Sequence, residues 1–164
     1  MNLDYLTQVA GEFAKMAWPL RKQVGLIDFM IYGSVVRKEK DPKDLDILII
    51  HKNPELDKFQ NMIKEKIFSS DTEEFLALEK ILNINLSRIF QNSSIPLLLS
   101  KGLLHTSYLN HTYFTNRSYR KRWDLQNLNP DFLKGILKEG MLWNSRTEKY
   151  DIPTLTRYNL LKAA

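Results

Sequence analysis

Between Phe29 and Ile50 an apolar run stops at Gly33-Ser34, a basic loop follows, and a second apolar run resumes behind Asp44 and Asp46. This strand–turn–strand pattern constrains the fold more than any other segment. Residues two apart on a strand project from one face, so Asp44 and Asp46 can hold one hard cation between them. A Gly-Ser turn entering a helix N-terminus offers backbone N–H groups and a hydroxyl to a phosphate. Cation and phosphate sites joined by one hairpin-like unit point to nucleoside triphosphate chemistry.

At 164 residues one domain is expected, and 43% hydrophobic content with three Trp, seven Tyr and eight Phe is enough for a core. No apolar run approaches the about 20 residues that span a bilayer. Asp4, Gln8 and Glu12 interrupt the N-terminus, unlike a signal peptide. The absence of cysteine excludes disulfides and thiolate metal sites and fits a reducing compartment, so a soluble, cytoplasmic protein is expected. Charge is uneven. Residues 1–100 carry 13 Lys/Arg against 14 Asp/Glu, whereas residues 101–164 carry 11 against 5, which points to an anionic partner or to a solvated basic face.

Leu3, Leu6, Val9, Ala10, Phe13 and Ala17 predict an amphipathic helix ending near Trp18-Pro19. Strands are predicted at Leu26–Tyr32 and Leu45–His51, with a short helix from Ser34 to about Lys38 between them. Asn53-Pro54-Glu55 starts a helix whose apolar face runs from Phe59 to Ile67, and another is predicted over 72–80 with Asp71 as its cap. Alternation over Ile81–Ile89 predicts a third strand, with Leu82, Ile84 and Leu86 on one side and Asn83, Asn85 and Ser87 on the other. Helices are expected at 95–101 and from Pro130 to Lys138. Residues 109–128 form the expected junction between a core, 1–108, and a basic C-terminal extension, 109–164, packed on it.

The Gly33-Ser34 turn, the nine residues that separate it from Asp44, and the run Lys43-Asp44-Leu45-Asp46-Ile47-Leu48 resemble the DNA polymerase β-type nucleotidyltransferase superfamily, especially its minimal nucleotidyltransferases. The resemblance is firm over residues 24–51 and reaches to about residue 108. It implies an α/β (α+β) fold with a short mixed sheet and helices packed on it. It also implies Mg²⁺ on Asp44 and Asp46, and a nucleoside triphosphate, with ATP the expected donor, gripped by Gly33, Ser34 and loop cations such as Arg37 and Lys43. The nucleoside monophosphate would pass to a hydroxyl on RNA, a protein or a small molecule. Minimal members often pair with a helical protein partner, so a protein partner is implied by resemblance alone.

The family pattern places a third carboxylate on the third strand, where this chain offers Asn83 and Asn85. Asn85, 39 residues after Asp46, stands at the expected position, and Glu79 shares its parity. Asparagine carries no charge and cannot act as a base, so a catalytically degenerate relative that binds without turnover is the alternative. His51, His105 and His111 lack metal-ligand spacing and read as surface or strand-end residues. Asp71, Glu73 and Glu74 read as surface or cap residues. Arg117-Ser-Tyr-Arg-Lys-Arg-Trp123 interleaves cations with aromatics, so Arg117, Arg120, Arg122 and Trp123 are candidates for RNA or DNA contact. The other reading is a basic surface strand with Tyr119 and Trp123 packed inward.

Overall fold

The computed structural model describes residues 2–127 and 129–159. Helix α1 (Leu3–Ala17) buries the stripe Leu6, Val9, Ala10, Phe13, Ala14 and Ala17, and the Asn2 side chain accepts the Asp4 N–H at its start. A 3₁₀ turn at Trp18–Leu20 and the short α2 (Arg21–Val24) lead to Gly25, whose left-handed φ of +67° turns the chain into the sheet. Strands β1 (Leu26–Tyr32) and β2 (Leu45–His51) then pair antiparallel, as their sequences predict.

Between them lies no regular helix at 34–38. The connection is a single turn, in which the Arg37 N–H reaches the Gly33 carbonyl and the Glu39 N–H reaches that of Ser34. After β2, Asn53 caps α3 (Pro54–Lys64), which stops short of Lys66 and Ile67. Helix α4 (Asp71–Leu82) is capped by Ser70, and Asp71 is its first residue rather than its cap.

The predicted strand at Ile81–Ile89 is a correction. Phe75, Leu78, Ile81 and Leu82 continue the apolar spacing of a helix, so α4 runs through to Leu82. Asn83 ends it at a left-handed φ of +54°, and Asn85 caps the short α5 (Leu86–Ile89). The apparent alternation of 82, 84 and 86 is a helix end, a turn and a helix start. After α6 (Ile95–Ser100), the third strand is β3 (Leu104–Asn110), which lies parallel to β2 with His105 opposite Asp46. A parallel pair needs a long crossover, and α3 to α6 supply it.

Among the described residues, four helices and two strands follow: α7 (Thr112–Thr115), α8 (Arg117–Gln126), α9 (Pro130–Glu139), β4 (Met141–Asn144), β5 (Lys149–Pro153) and α10 (Thr154–Arg157). The five strands form one mixed sheet in the order β3-β2-β1-β4-β5, so the molecule is α+β. The segment expected to be an added extension from 109 therefore supplies two strands of the sheet itself; Leu128 and residues 160–164 of that segment lie outside the described residues.

Each face of the sheet carries an apolar layer. Phe29, Ile31, Leu45, Ile47 and Ile49 pack against α1, α3 and α6, while Met30, Leu48, Ile50 and Leu142 pack against residues of α7 and α9. On this second face Asp28 of β1 is buried, and it accepts hydrogen bonds from Arg157 Nη1 at 2.5 Å and from the Tyr158 hydroxyl. Among the described residues no helix is long and apolar enough to cross a membrane.

Candidate functional site

The site forms where β1 ends and β2 begins. Gly33 follows β1 at φ +81°, and a Cβ built there would stand 2.6 Å from Asp46 Oδ2, so both backbone and space demand glycine. Ser34 is buried, and its hydroxyl donates to the Asp44 carbonyl at 3.4 Å. That contact ties the turn to the start of β2 and engages the hydroxyl expected to grip phosphate. Asp46 shares the parity of Leu48 and Ile50 and so projects from the second face of the sheet, and Asp44 lies just before the strand. Burial first, and then the charge of Asp44, push the Asp46 carboxyl up to about 6. Two carboxylates whose charges repel each other in this way are the residues that could hold a hard cation.

β3 supplies the third group facing this pair. His105 lies opposite Asp46 in register, with Nε2 3.3 Å from Asp44 Oδ2 and Nδ1 3.8 Å from Asp71 Oδ2. Behind it, burial and then the neighbouring Asp71 raise the Glu74 carboxyl to about 7. His105 lies at the start of β3 and is partly exposed, as a strand-end histidine is expected to be, and it faces this acidic cluster; the Asp71 side chain is largely covered. Among the described residues no group of three or more His, Asp or Glu is arranged to hold a metal ion alone. Any ion on Asp44 and Asp46 would draw the rest of its shell from phosphate and water, as Mg²⁺ ordinarily does.

Asn85 is not brought to this site. Its side chain accepts the Arg88 N–H at the start of α5, beyond the far end of the 12-residue α4, about 18 Å from the end that carries Asp71. Glu79 accepts from the Ser87 N–H and hydroxyl, so it does not fill the role either. Lys43 is exposed beside Asp44, while Arg37 makes ion pairs with Glu39 at 2.9 Å and with Glu139 at 3.1 Å. Glu139 Oε1 also accepts the Gly33 N–H at 2.8 Å.

Tyr32, opposite Asp46 on β1, connects the acidic pair to a cleft. Its phenol is pushed up to about 12 by burial, with the charges of Asp46, Asp44 and Glu139 adding to the effect, and its hydroxyl lies 3.4 Å from Ser107 Oγ. Tyr32 and Ser107 form one wall of a cleft of about 650 Å³, within the range of small-molecule sites, with Gln60, Lys64, Trp123 and Phe132 among its other walls. Trp123 packs edge-on against Tyr113, and the Lys64 ammonium lies 5.8 Å from its ring.

The basic segment 117–123 is helix α8, not a surface strand. Arg120 is buried, with its guanidinium 6.0 Å from the Tyr113 ring, whereas Arg117 and Arg122 are exposed. His51 is fully buried; its Nδ1 accepts the Asn53 N–H, and burial lowers its pKa, which keeps the ring neutral. His111 packs against Phe114 and Tyr158.

The sequence reading gives Tyr32 and Glu139 no site role and sets Asp71, Glu74 and His105 aside as cap, surface or strand-end residues. A weak signal for His105 exists: Leu104, Thr106 and Tyr108 alternate with His105 and Ser107, although the pattern fails at the buried Leu109. No such local signal exists for Glu139, which reaches Gly33 across 106 residues of sequence. Comparison of the chain with protein-family models, with curated proteins and with solved structures gives no match in any of the three.

Proposed function

We propose that this chain is a nucleotidyltransferase of the polymerase β-like kind, moving a nucleoside monophosphate from a triphosphate such as ATP to an acceptor hydroxyl. The observation that supports the reading is the approach of Gly33 to Asp46, which sets the turn offered to phosphate against one of the two carboxylates offered to the cation. Mg²⁺ held by Asp44 and Asp46 would neutralise the phosphate charge during transfer. The Gly33 N–H and the Arg37 guanidinium are the donors for phosphate oxygens. The cleft beyond Tyr32 has the volume and the aromatic walls for a nucleoside. In the reaction the acceptor oxygen bonds to the α-phosphorus, the bond to the bridging oxygen breaks, and pyrophosphate leaves with that electron pair.

On the third strand the residue opposite Asp46 is His105, and we take it as the third group of the site in place of a carboxylate. An imidazole can take a proton, but it does not bridge a second hard cation as a carboxylate does, which favours a single-ion site. The same observation supports the second reading, a relative that binds nucleotide without turnover. Calorimetric titration of Mg-ATP, followed by a transfer assay with labelled triphosphates, separates the two. Asp44→Asn with Asp46→Asn is expected to weaken Mg-ATP binding at least tenfold while the fold persists. Unchanged affinity in that double variant overturns both readings.

A further inference from the structure

Gly33 and Arg37, the groups assigned above to phosphate, are already bound to an anion. The Gly33 N–H donates to Glu139 Oε1 at 2.8 Å, and Arg37 Nη1 donates to the two oxygens of the same carboxylate at 3.2 and 3.1 Å. A backbone amide and a guanidinium converging on one anion are a donor set that holds a phosphate oxygen. The carboxylate comes from far along the chain, at the last residue of α9, so the contact is built by the fold and not by the turn itself. Glu139 also lies close enough for its charge to act on Tyr32, together with those of Asp44 and Asp46.

We propose that Glu139 is an internal anion that stands in the phosphate position of this site, and that a polyphosphate binds by displacing it. The proposal rests on the nucleotidyltransferase reading only in naming a triphosphate as the displacing ligand. Release needs no movement of the helix. Gly140 is seated so closely on Met30 that a Cβ there would collide with its sulfur, which anchors the backbone at the end of α9. The Glu139 side chain is 28% exposed and Arg37 is 53% exposed, so a change of side-chain rotamer is enough. Displacement leaves a carboxylate beside the incoming phosphates, and its repulsion would hold affinity down until a cation on Asp44 and Asp46 compensates. Glu139 thereby makes binding of the triphosphate depend on the metal.

The test uses inorganic tripolyphosphate without metal, titrated into the full chain while the Gly33 amide resonance is followed by NMR. Glu139→Gln is expected to bind at least tenfold more tightly than wild type, and adding Arg37→Gln should remove that gain. Equal affinity, weaker affinity in Glu139→Gln, or no binding to either protein overturns the proposal. Should Glu139→Gln fail to fold, Glu139→Asp withdraws the carboxylate by one methylene; tighter binding is expected there, and none overturns the idea. The gain should persist in a chain that also carries Asp44→Asn and Asp46→Asn, so the Glu139 contact and the metal reading fail separately.

Discussion

Asp46 is a carboxylate whose charge is disfavoured twice over, by partial burial and by the charge of Asp44 beside it. Its raised pKa of about 6 has a definite consequence for stability. Below the unfolded value near 3.8 both states are protonated and the residue costs nothing. As pH rises towards about 6 the unfolded chain gives up its proton first, so stability falls through that window and stays lower above it. Asp46→Asn is therefore expected to stabilise the protein at pH 8 by about 1 kcal/mol, after allowance for partial exposure. Thermal melts would show a rise in Tm of roughly 3 °C. At pH 4 the variant should match wild type; a gain of equal size at both pH values would refute the electrostatic cause. Asp44, Asp46 and Gly33 were legible from sequence because strand parity and a turn signal are local. His105 and Glu139 were not, because their neighbours are set by sheet register and by a distant helix end.

Helices α1, α3 and α9 and strands β1 and β2 follow their sequence signals closely, since a cap, an apolar period or a continuous apolar run marks each one. The failure at 81–89 has a physical origin. A period of two and the junction of two helices give the same apolar pattern over five residues, and only the longer run from Phe75 separates them. Asn83 offers a sharp test. In a strand, Asn83→Val would gain from β propensity. At a left-handed helix end it should lose about 1–2 kcal/mol, since a β-branched residue resists φ +54°. Denaturant midpoints for this variant decide the point, and a stabilised Asn83→Val would restore the strand. β4 and β5 went unread because they are only four and five residues long and flank a turn; Tyr150 and Ile152 do alternate with Lys149, Asp151 and Pro153, but over too short a run to mark a strand alone.

For the molecule as a whole, the sheet passes through the boundary expected at 108. A chain ending there would stop inside β3 and would leave Met30, Leu48 and Ile50 without the helices that cover them. Such a fragment is expected not to fold, and the dispersion of its amide NMR spectrum would show it; a well-dispersed spectrum would mean that the N-terminal part is autonomous. The tie from α10 to β1 should matter as well. Arg157→Ala removes one partner of the buried Asp28 and is expected to cost on the order of 2 kcal/mol, less than a fully buried pair because Arg157 is 42% exposed. A denaturant midpoint equal to wild type would show that Tyr158 alone satisfies the carboxylate. The pairing of Met30 with Leu142 also sets an order of events in the cell. β1 is made early, yet the neighbour on one of its sides comes off the ribosome more than a hundred residues later. At roughly 5–20 residues per second, that side stays open for about 5–20 seconds of synthesis. During that interval the N–H and C=O groups of a finished hydrophobic strand face any other extended chain nearby, and the growing polypeptide is then most exposed to aggregation.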